Sequence, residues 1–512
     1  MEAERKEGEI RKGGRSVKDQ NYDVIVVGFG NAAQTAAFAA HEAGAKVLVL
    51  EKAPESKRGG NTWFSASAHL RHVHNGIPDE KILLPHVPES EWEKIDITPY
   101  TKDDFYGDLM RVTRGRAVPE LAELLVNESF PTVTWMRESG IQWEIRYEAS
   151  IPEKGRFRWH PGNVFIQSKE GGAGLVKMWH RILQNKGIEI RFETAGVRLI
   201  TDQKSRVTGL VVQDVEGYHE IRAKAVVLAS GGFQANPAMR AKYLGNGWDL
   251  GKVRGTRYNT GDGIQMALDV GAQAFGHWAG SHATPIDADT TEYEAAFLDP
   301  LNLRNRSHRY AWTLGILVNV EGRRFLDEGE DFDAYTYAKT GNEILRQPGN
   351  IAYQVFDAKL KEALDRNFYT PAMVVEADTI KELAENLEIN PNVMVETVER
   401  YNAAVMNELP FNPLIRDGKG TRGIYPQKTN WAQKLDTPPY VAYSCTGGLT
   451  FTYGGIKVNP RCQVLDRLDR PIPGLYGAGE LVGGFFYYNY ISGTGFTRGA
   501  VTGRIAGINA AG

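Results

Sequence analysis

Residues Asp23–Ala33 read DVIVVGFGNAA, and they are followed by an alanine-rich stretch to Ala43, then Gly44, then a second apolar run, Lys46–Leu50. Asp23–Val27 is short, apolar and β-branched, as a parallel strand buried on both faces must be. The alanine-rich stretch predicts a helix, with Gly44 where a helix C-terminus favours a left-handed residue. Strand, helix and strand make one βαβ unit, and the fixed hand of such crossovers makes a doubly wound sheet the economical arrangement. Gly28, Gly30 and Ala33 occupy the three small positions of G-x-G-x-x-G/A. Gly28 makes the tight turn, Gly30 lets backbone approach a pyrophosphate, and Ala33 lets the helix sit close on the sheet. The helix start at Asn31 and Ala32 then offers unpaired amides and a positive dipole end to phosphates. Glu51 closes the second strand 21 residues beyond Gly30. A carboxylate there accepts hydrogen bonds from ribose hydroxyls and repels the extra phosphate of NADP.

Working outward, further glycine clusters return toward the same pocket. Glu51, Lys52 and Ala53 lead into RGGNT, where Gly59, Gly60, Asn61 and Thr62 form a turn able to wrap a diphosphate. TGDG brings Thr260 and Asp262, and GLYGAGE puts Gly479 and Glu480 after a strand. Nicotinamide enzymes have little use for such distant returning clusters, so FAD is indicated over NAD.

The middle of the chain continues the α/β theme with a helix from about Ala173 to Lys186, a strand at Ile188–Phe192, hairpin strands to about Val212, and AVVLASGG running into Gly231 and Gly232. From about Gly280 to Ser444 polar and aromatic residues increase, and a helix is expected from Asn390 as cap through Pro391 to Met406. The expected organisation is a solvated, disordered tail at 1–20, a Rossmann-like FAD-binding α/β domain split into 21–279 and 445–512, and an inserted α+β capping domain at 280–444.

Composition excludes several classes. Hydrophobic residues make up 42% and charged residues 24%, and no apolar run is long enough to span a membrane. A net charge of -3 leaves no basic face for nucleic acid or anionic lipid. Cys445 and Cys462 are the only cysteines, with no metal-ligand spacing, which suits a reducing, cytoplasmic setting and no metal.

Taken together, GFGNAA, EKAPESKRGGNT, NTGDGIQMA, LVNVEGRRFLDEG, TFTYGGIKV and IPGLYGAGELVGG resemble the flavoprotein family of fumarate reductase and succinate dehydrogenase, from Tyr22 to Ala511. RGGNT, DEGEDFDAYTYAK (Asp327–Lys339) and FYYNYISGTG (Phe486–Gly495) look most like its tricarballylate dehydrogenase branch, with features of 3-ketosteroid dehydrogenases. The resemblance implies further FAD contacts at Gly172, Ala173 and Gly174, at Val197, at Ser230, and at Gly493, Thr494, Gly495 and Phe496. It implies that the inserted segment closes over the flavin. Membrane-complex members attach FAD to a histidine in the turn matching Arg58–Thr62, and Gly60 and Asn61 stand there in this chain, so FAD is expected to be non-covalent.

The same resemblance ranks the catalytic candidates. The fumarate reductases' proton-donating arginine falls on Phe332, their later substrate arginine on Tyr490 and a substrate histidine on Thr450, which argues against efficient fumarate reduction. Their carboxylate-holding histidine falls on His282. Ketosteroid dehydrogenases place a carbonyl-polarising tyrosine where Tyr490 stands, and such a residue is an acid or base only if its pKa is lowered. Tyr335, Tyr337, Tyr453, Tyr487 and Tyr488 are alternatives, with packed core aromatics as the competing reading. Arg309, with Arg71, Arg304 and Arg306, supplies guanidinium forks suited to a carboxylate, and Arg498 is placed to touch the flavin.

The leading expectation is an FAD-dependent dehydrogenase or reductase of a carbon–carbon bond beside a carboxylate or carbonyl. It works on a small-molecule substrate with an unidentified electron donor or acceptor. A ketosteroid dehydrogenase or enone reductase is the alternative within that class, and a flavin redox carrier or sensor is the alternative outside it.

Overall fold

In the computed structural model, which describes residues 22–159, 163–297, 306–360, 364, 369 and 374–512, the strand Tyr22–Val27 is the middle of an eight-stranded sheet. It pairs in parallel with Val47–Leu50 on one side and with the end of Gly217–Leu228 on the other. Val24, Ile25 and Val26 are fully buried, as a strand covered on both faces requires. Each such side chain contributes about 1.5–3 kcal/mol of hydrophobic stabilisation. Glu189–Arg191 extends the parallel sheet at one edge, and Pro471–Gly477 extends it at the other. The sheet is thus completed by a strand from far along the chain. Gly217–Leu228 changes partners midway: its first half lies antiparallel to Val207–Asp214, and its second half is parallel to Tyr22–Val27.

The helix Asn31–Glu42 crosses from the first strand to the second and packs on the helix Thr494–Ala511. Small residues set the approach. A Cβ at Gly503 would lie 2.3 Å from the Ala32 carbonyl oxygen, and one at Gly507 would lie 2.2 Å from that of Ala36. The glycine punctuation of the second helix is therefore a packing face.

A second, antiparallel sheet has the order Ala274–Asp287, Tyr440–Ile456, Ile351–Asp357, Ile316–Asn319, with Val374–Ala377 also on the long strand Tyr440–Ile456. Residues 280 and 444, where the sequence changes character, both fall inside strands of this sheet, Ala274–Asp287 and Tyr440–Ile456. Composition does not register strands that leave one sheet's surroundings and enter another. Beyond this sheet Asn390 caps the helix Pro391–Ala404, its side chain accepting from Asn392 N at 3.0 Å. Among the described residues no helix is long and apolar enough to cross a membrane. The tail at 1–20 and Arg304 lie outside the described residues.

Candidate active site

The C-terminal ends of the parallel strands and the second sheet enclose a cavity of about 1040 Å³. Its one end is lined by backbone turns, and its other end by aromatic and basic side chains.

The turn after the first strand forms because Gly28 has φ +114°, and a Cβ there would stand 2.5 Å from the Ala229 carbonyl oxygen. Gly30 is extended and leaves the helix Asn31–Glu42 without a side-chain cap, so amides of the first turn face the cavity. Asn31 N donates to Thr62 Oγ1 at 2.9 Å, which joins RGGNT to the first glycine turn. Helices beginning at Asn31, Gly60, Asp262 and Thr494 all start on or beside this end. Their dipoles favour an anion.

Glu51 lines the cavity and accepts from Ala53 N at 2.8 Å. It is buried, and burial raises its pKa. Lys52 binds Asp262 and Thr260 Oγ1, each at 2.5 Å, so the acid of TGDG is already matched by a cation. Glu480 accepts from Thr452 N at 3.0 Å, and its burial lifts its pKa to about 7. Gly232 lies behind it, where a Cβ would meet Glu480 Oε1 at 2.2 Å. Asn31 Oδ1 and Ser230 Oγ are buried here with no partner among the described residues. Uncapped amides, glycine turns and these polar atoms together fit an elongated, hydrogen-bonding dinucleotide such as FAD.

At the other end His282 stacks on Phe451 with ring centroids 4.8 Å apart, and Tyr490 and Tyr337 each meet it edge-on at 4.8 Å. Burial, reinforced by Arg254, holds the His282 pKa well below its usual value, so the ring is neutral. Its Nδ1 has no partner among the described residues. The Tyr490 hydroxyl accepts from Gly495 N at 2.9 Å. Burial raises its pKa, so Tyr490 remains a protonated donor; the lowered pKa that a tyrosine base requires is not found here. His69 lies between Ser67 Oγ at 2.5 Å and Ser492 Oγ at 2.7 Å. Arg498 spans Phe451 and Phe486, 5.3 and 4.8 Å from their ring centres, and burial lowers its pKa to about 10.

Other candidates stand elsewhere. Arg309 is fully buried in an ion pair with Asp287, over the ring of Tyr369 in the second sheet's core, and does not line the cavity. The Tyr335 hydroxyl donates to Asp108 Oδ2 at 2.7 Å in a separate cavity of about 470 Å³, which Arg71 also lines. Phe332 lines both cavities. Val197 is exposed, and its neighbour Gly196 lines the cavity instead. Gly59, Ala33 and Ala173 are packing positions. Gly172 and Gly174 also pack, since a Cβ at either would lie 1.8 Å from the Thr62 and 1.9 Å from the Lys169 carbonyl oxygen respectively. Thr260 acts through Lys52 rather than facing the cavity. Sequence reading passes over Arg254, Arg146 and His69, which do line it. For Arg254 a signal exists, because it stands six residues before Thr260 in the same glycine cluster.

A family model described as the FAD binding domain matches residues 23–83 and 96–496. A probable fumarate reductase of Shewanella frigidimarina (strain NCIMB 400) is 29% identical over 509 residues, which cover 98% of this chain and 77% of that protein. The open conformation of a flavocytochrome c3 fumarate reductase superposes with a TM-score of 0.69 at 27% identity, covering 96% of this chain and 78% of that one. A 3-ketosteroid delta1-dehydrogenase from Sterolibacterium denitrificans, solved with 1,4-androstadiene-3,17-dione, shares the fold at a TM-score of 0.72 and 20% identity, covering 96% of this chain and 99% of that one.

Proposed function

The chain belongs to the FAD binding domain family, and from that premise we propose that it dehydrogenates, or in reverse reduces, a carbon–carbon bond next to a carboxylate or carbonyl, in the manner of a tricarballylate dehydrogenase. It is an FAD-dependent oxidoreductase acting on carbon–carbon bonds. One observation carries the finer reading: His282 and Tyr490, buried with ring centroids 4.8 Å apart, share a cavity with the glycine turns suited to the dinucleotide.

Gly28, Gly30, Asn31 and Gly231 would take the diphosphate side, Glu51 a ribose, and Gly60, Asn61, Gly495 and Arg498 the ring side. Bound FAD supplies the two-electron hydride chemistry that no side chain provides. Retention is non-covalent in this reading, because Gly60 and Asn61 offer no nucleophile and both nitrogens of His69 are engaged by serines. The sheet Ala274–Ile456 with its helices acts as the cap.

The chain's own residues do the rest. With its hydroxyl acceptor side held by Gly495, Tyr490 donates its proton toward a substrate oxygen, and neutral His282 hydrogen-bonds beside it. Both favour the charge that develops on that oxygen as the neighbouring C–H bond is weakened. Buried Phe451 and Phe486, with half-buried Tyr337, keep bulk water from the reacting carbon. Phe332 at the proton donor's position and Thr450 in place of a histidine set this site apart from that of the fumarate reductases, in either direction of the reaction.

An anaerobic titration of flavin absorbance tests this. Polycarboxylates are expected to bleach the oxidised flavin, and the corresponding alkene acids to restore it. Bleaching by ketosteroids alone moves the protein to the ketone-activating branch. No response to any carbon acid, alkene acid, ketosteroid or enone leaves a redox carrier.

A further inference from the structure

Buried guanidinium groups elsewhere in this fold are held by carboxylates or by backbone carbonyls. Arg309 meets Asp287 and Arg324 meets Glu328, while Arg240 donates to the carbonyls of Gln234 and Trp248. Arg254 and Arg306, on the aromatic side of the large cavity, differ. Neither enters an ion pair among the described residues, and Arg254 Nε and Arg306 Nη1 are buried without a hydrogen-bond partner there. Such cations are costly unless an anion completes them.

Their mounting is rigid. Arg254 N donates to Leu449 O at 2.8 Å, and Arg254 O accepts from Ala296 N at 2.9 Å. Next to it Thr256 N donates to Asn61 Oδ1 at 3.0 Å, and Gly255 is so close that a Cβ would lie 2.0 Å from that same atom. This fixes Arg254 between the RGGNT turn and the Ala295–Phe297 segment. Arg306 lies over the Phe297 ring at 4.5 Å, with Nη2 donating to Ala66 O at 3.4 Å. Arg146 lines the same cavity, and its carboxylate neighbour Glu148 stands at 3.4 Å.

The acids of the cavity do not neutralise these groups. Glu51 and Glu480 accept from backbone amides, and Asp262 is bound to Lys52. Asp333, in the first turn of its helix, makes no ion pair among the described residues. The charge of Arg254 depresses the proton affinity of His69, His282 and His308, so it lies within electrostatic reach of all three while they stay neutral.

We propose that Arg254 and Arg306, with Arg146 beside them, are the carboxylate-binding and specificity-determining residues of this site, and that the site selects substrates with at least two carboxylates. The proposal rests on reading this cavity as the active site. A guanidinium fork binds one carboxylate in two parallel hydrogen bonds. Two unmatched forks therefore call for two carboxylates, and a monocarboxylate would leave one half-buried cation without an anion. The cationic function that the fumarate reductases place where Phe332 and Tyr490 stand here is in this chain supplied from the glycine-rich segment before Thr260 and from the segment around Arg306.

The test is equilibrium binding to the FAD-loaded protein by calorimetry, with tricarballylate, succinate, butyrate and butyramide as probes. Tricarballylate or succinate is expected to bind at least tenfold more tightly than butyrate, and butyramide more weakly still, with affinity falling as salt is raised. Arg254→Gln and Arg306→Gln should each weaken the polycarboxylate roughly 30-fold or more, while FAD content and thermal unfolding stay as in the parent. Arg254→Lys, which keeps the charge but not the fork, should recover part of the loss. The proposal is overturned if butyrate binds as well as succinate, if no polycarboxylate binds the parent, or if both glutamine variants bind like the parent. Binding without flavin bleaching would keep the subsite and remove the redox reading for that ligand. Bleaching by a neutral ketone at equal rates in the parent and Arg254→Gln would keep the redox reading and remove the subsite.

Discussion

The two ends of the cavity are built by opposite means. At the glycine end the surface offered to a ligand is main chain: the turns at Gly28 and Gly231 and the uncapped start of the helix at Asn31. At the aromatic end it is side chain: His282, Tyr490, Tyr337, Phe451, Arg254 and Arg306, drawn from segments far apart in sequence. A backbone cradle tolerates little change in residue size but needs few particular functional groups. A side-chain wall is the reverse, because its chemistry changes with one substitution while the fold stands. The difference teaches that the first kind of surface is set by the course of the backbone and the second by the identity of single side chains.

The comparison breaks most visibly at Gly30. A Cβ there would find Thr62 Oγ1 at 3.6 Å and the Gly59 carbonyl oxygen at 3.7 Å, so the fold accepts a side chain that the diphosphate would not. Gly30→Val is expected to weaken FAD by about a thousandfold or more, roughly 4 kcal/mol, with an unchanged circular dichroism spectrum. Retained flavin in that variant would show that the backbone end is not where the dinucleotide lies.

Glu480 is the side chain on which the glycine end does depend, and it tests that end through pH. Its folded pKa, about 7, lies above the ordinary 4.5, so the folded protein holds this proton more tightly than the unfolded chain. Its contribution to stability is complete below the ordinary value and is lost as pH rises toward the folded value, a change of roughly 3 kcal/mol. Glu480→Gln should flatten that part of the stability profile measured by chemical denaturation. An unaltered slope would assign the titration to another group.

At the aromatic end Tyr490→Phe removes one hydroxyl and leaves the ring packing. Flavin reduction by substrate is expected to slow roughly 100-fold, with flavin content unchanged. Equal rates would return Tyr490 to the packed aromatics. The smallest effect is at Glu51, where Glu51→Ala should weaken FAD about tenfold, roughly 1.4 kcal/mol, the size of one net hydrogen bond. No change in affinity would leave Glu51 a buried carboxylate that does no more than hold the Ala53 turn.

The two ends also differ in how far they could be read from sequence. Gly28, Gly30 and Glu51 are tied to their neighbours by local geometry, so their spacing within one βαβ unit is itself the signal. The strand pairing around Tyr22–Val27 is legible for the same reason. Positions placed by tertiary structure are not. Arg309 sits in a run of basic residues, yet the second sheet turns it inward to Asp287. Val197 and Gly196 are neighbours on one strand, and a single step along a strand exchanges its faces. Arg254 carries no family motif of its own, and only the contact of its segment with Leu449 and Asn61 brings it to the cavity.

The close seating of helix Asn31–Glu42 on helix Thr494–Ala511 bears on the order of assembly. Asn31 Nδ2 donates to the Phe496 carbonyl across 465 residues of sequence. Closing a loop of that length costs about 5 kcal/mol of chain entropy before any contact repays it. During synthesis the first nucleotide-binding turn can form early, yet its helix has no glycine face to lie against until residues near 500 have emerged. High contact order of this kind slows folding. The glycine end of the cavity is therefore among the late structures to be finished, and a nascent chain stopped before Gly503 would expose the alanine face of a helix to the cell.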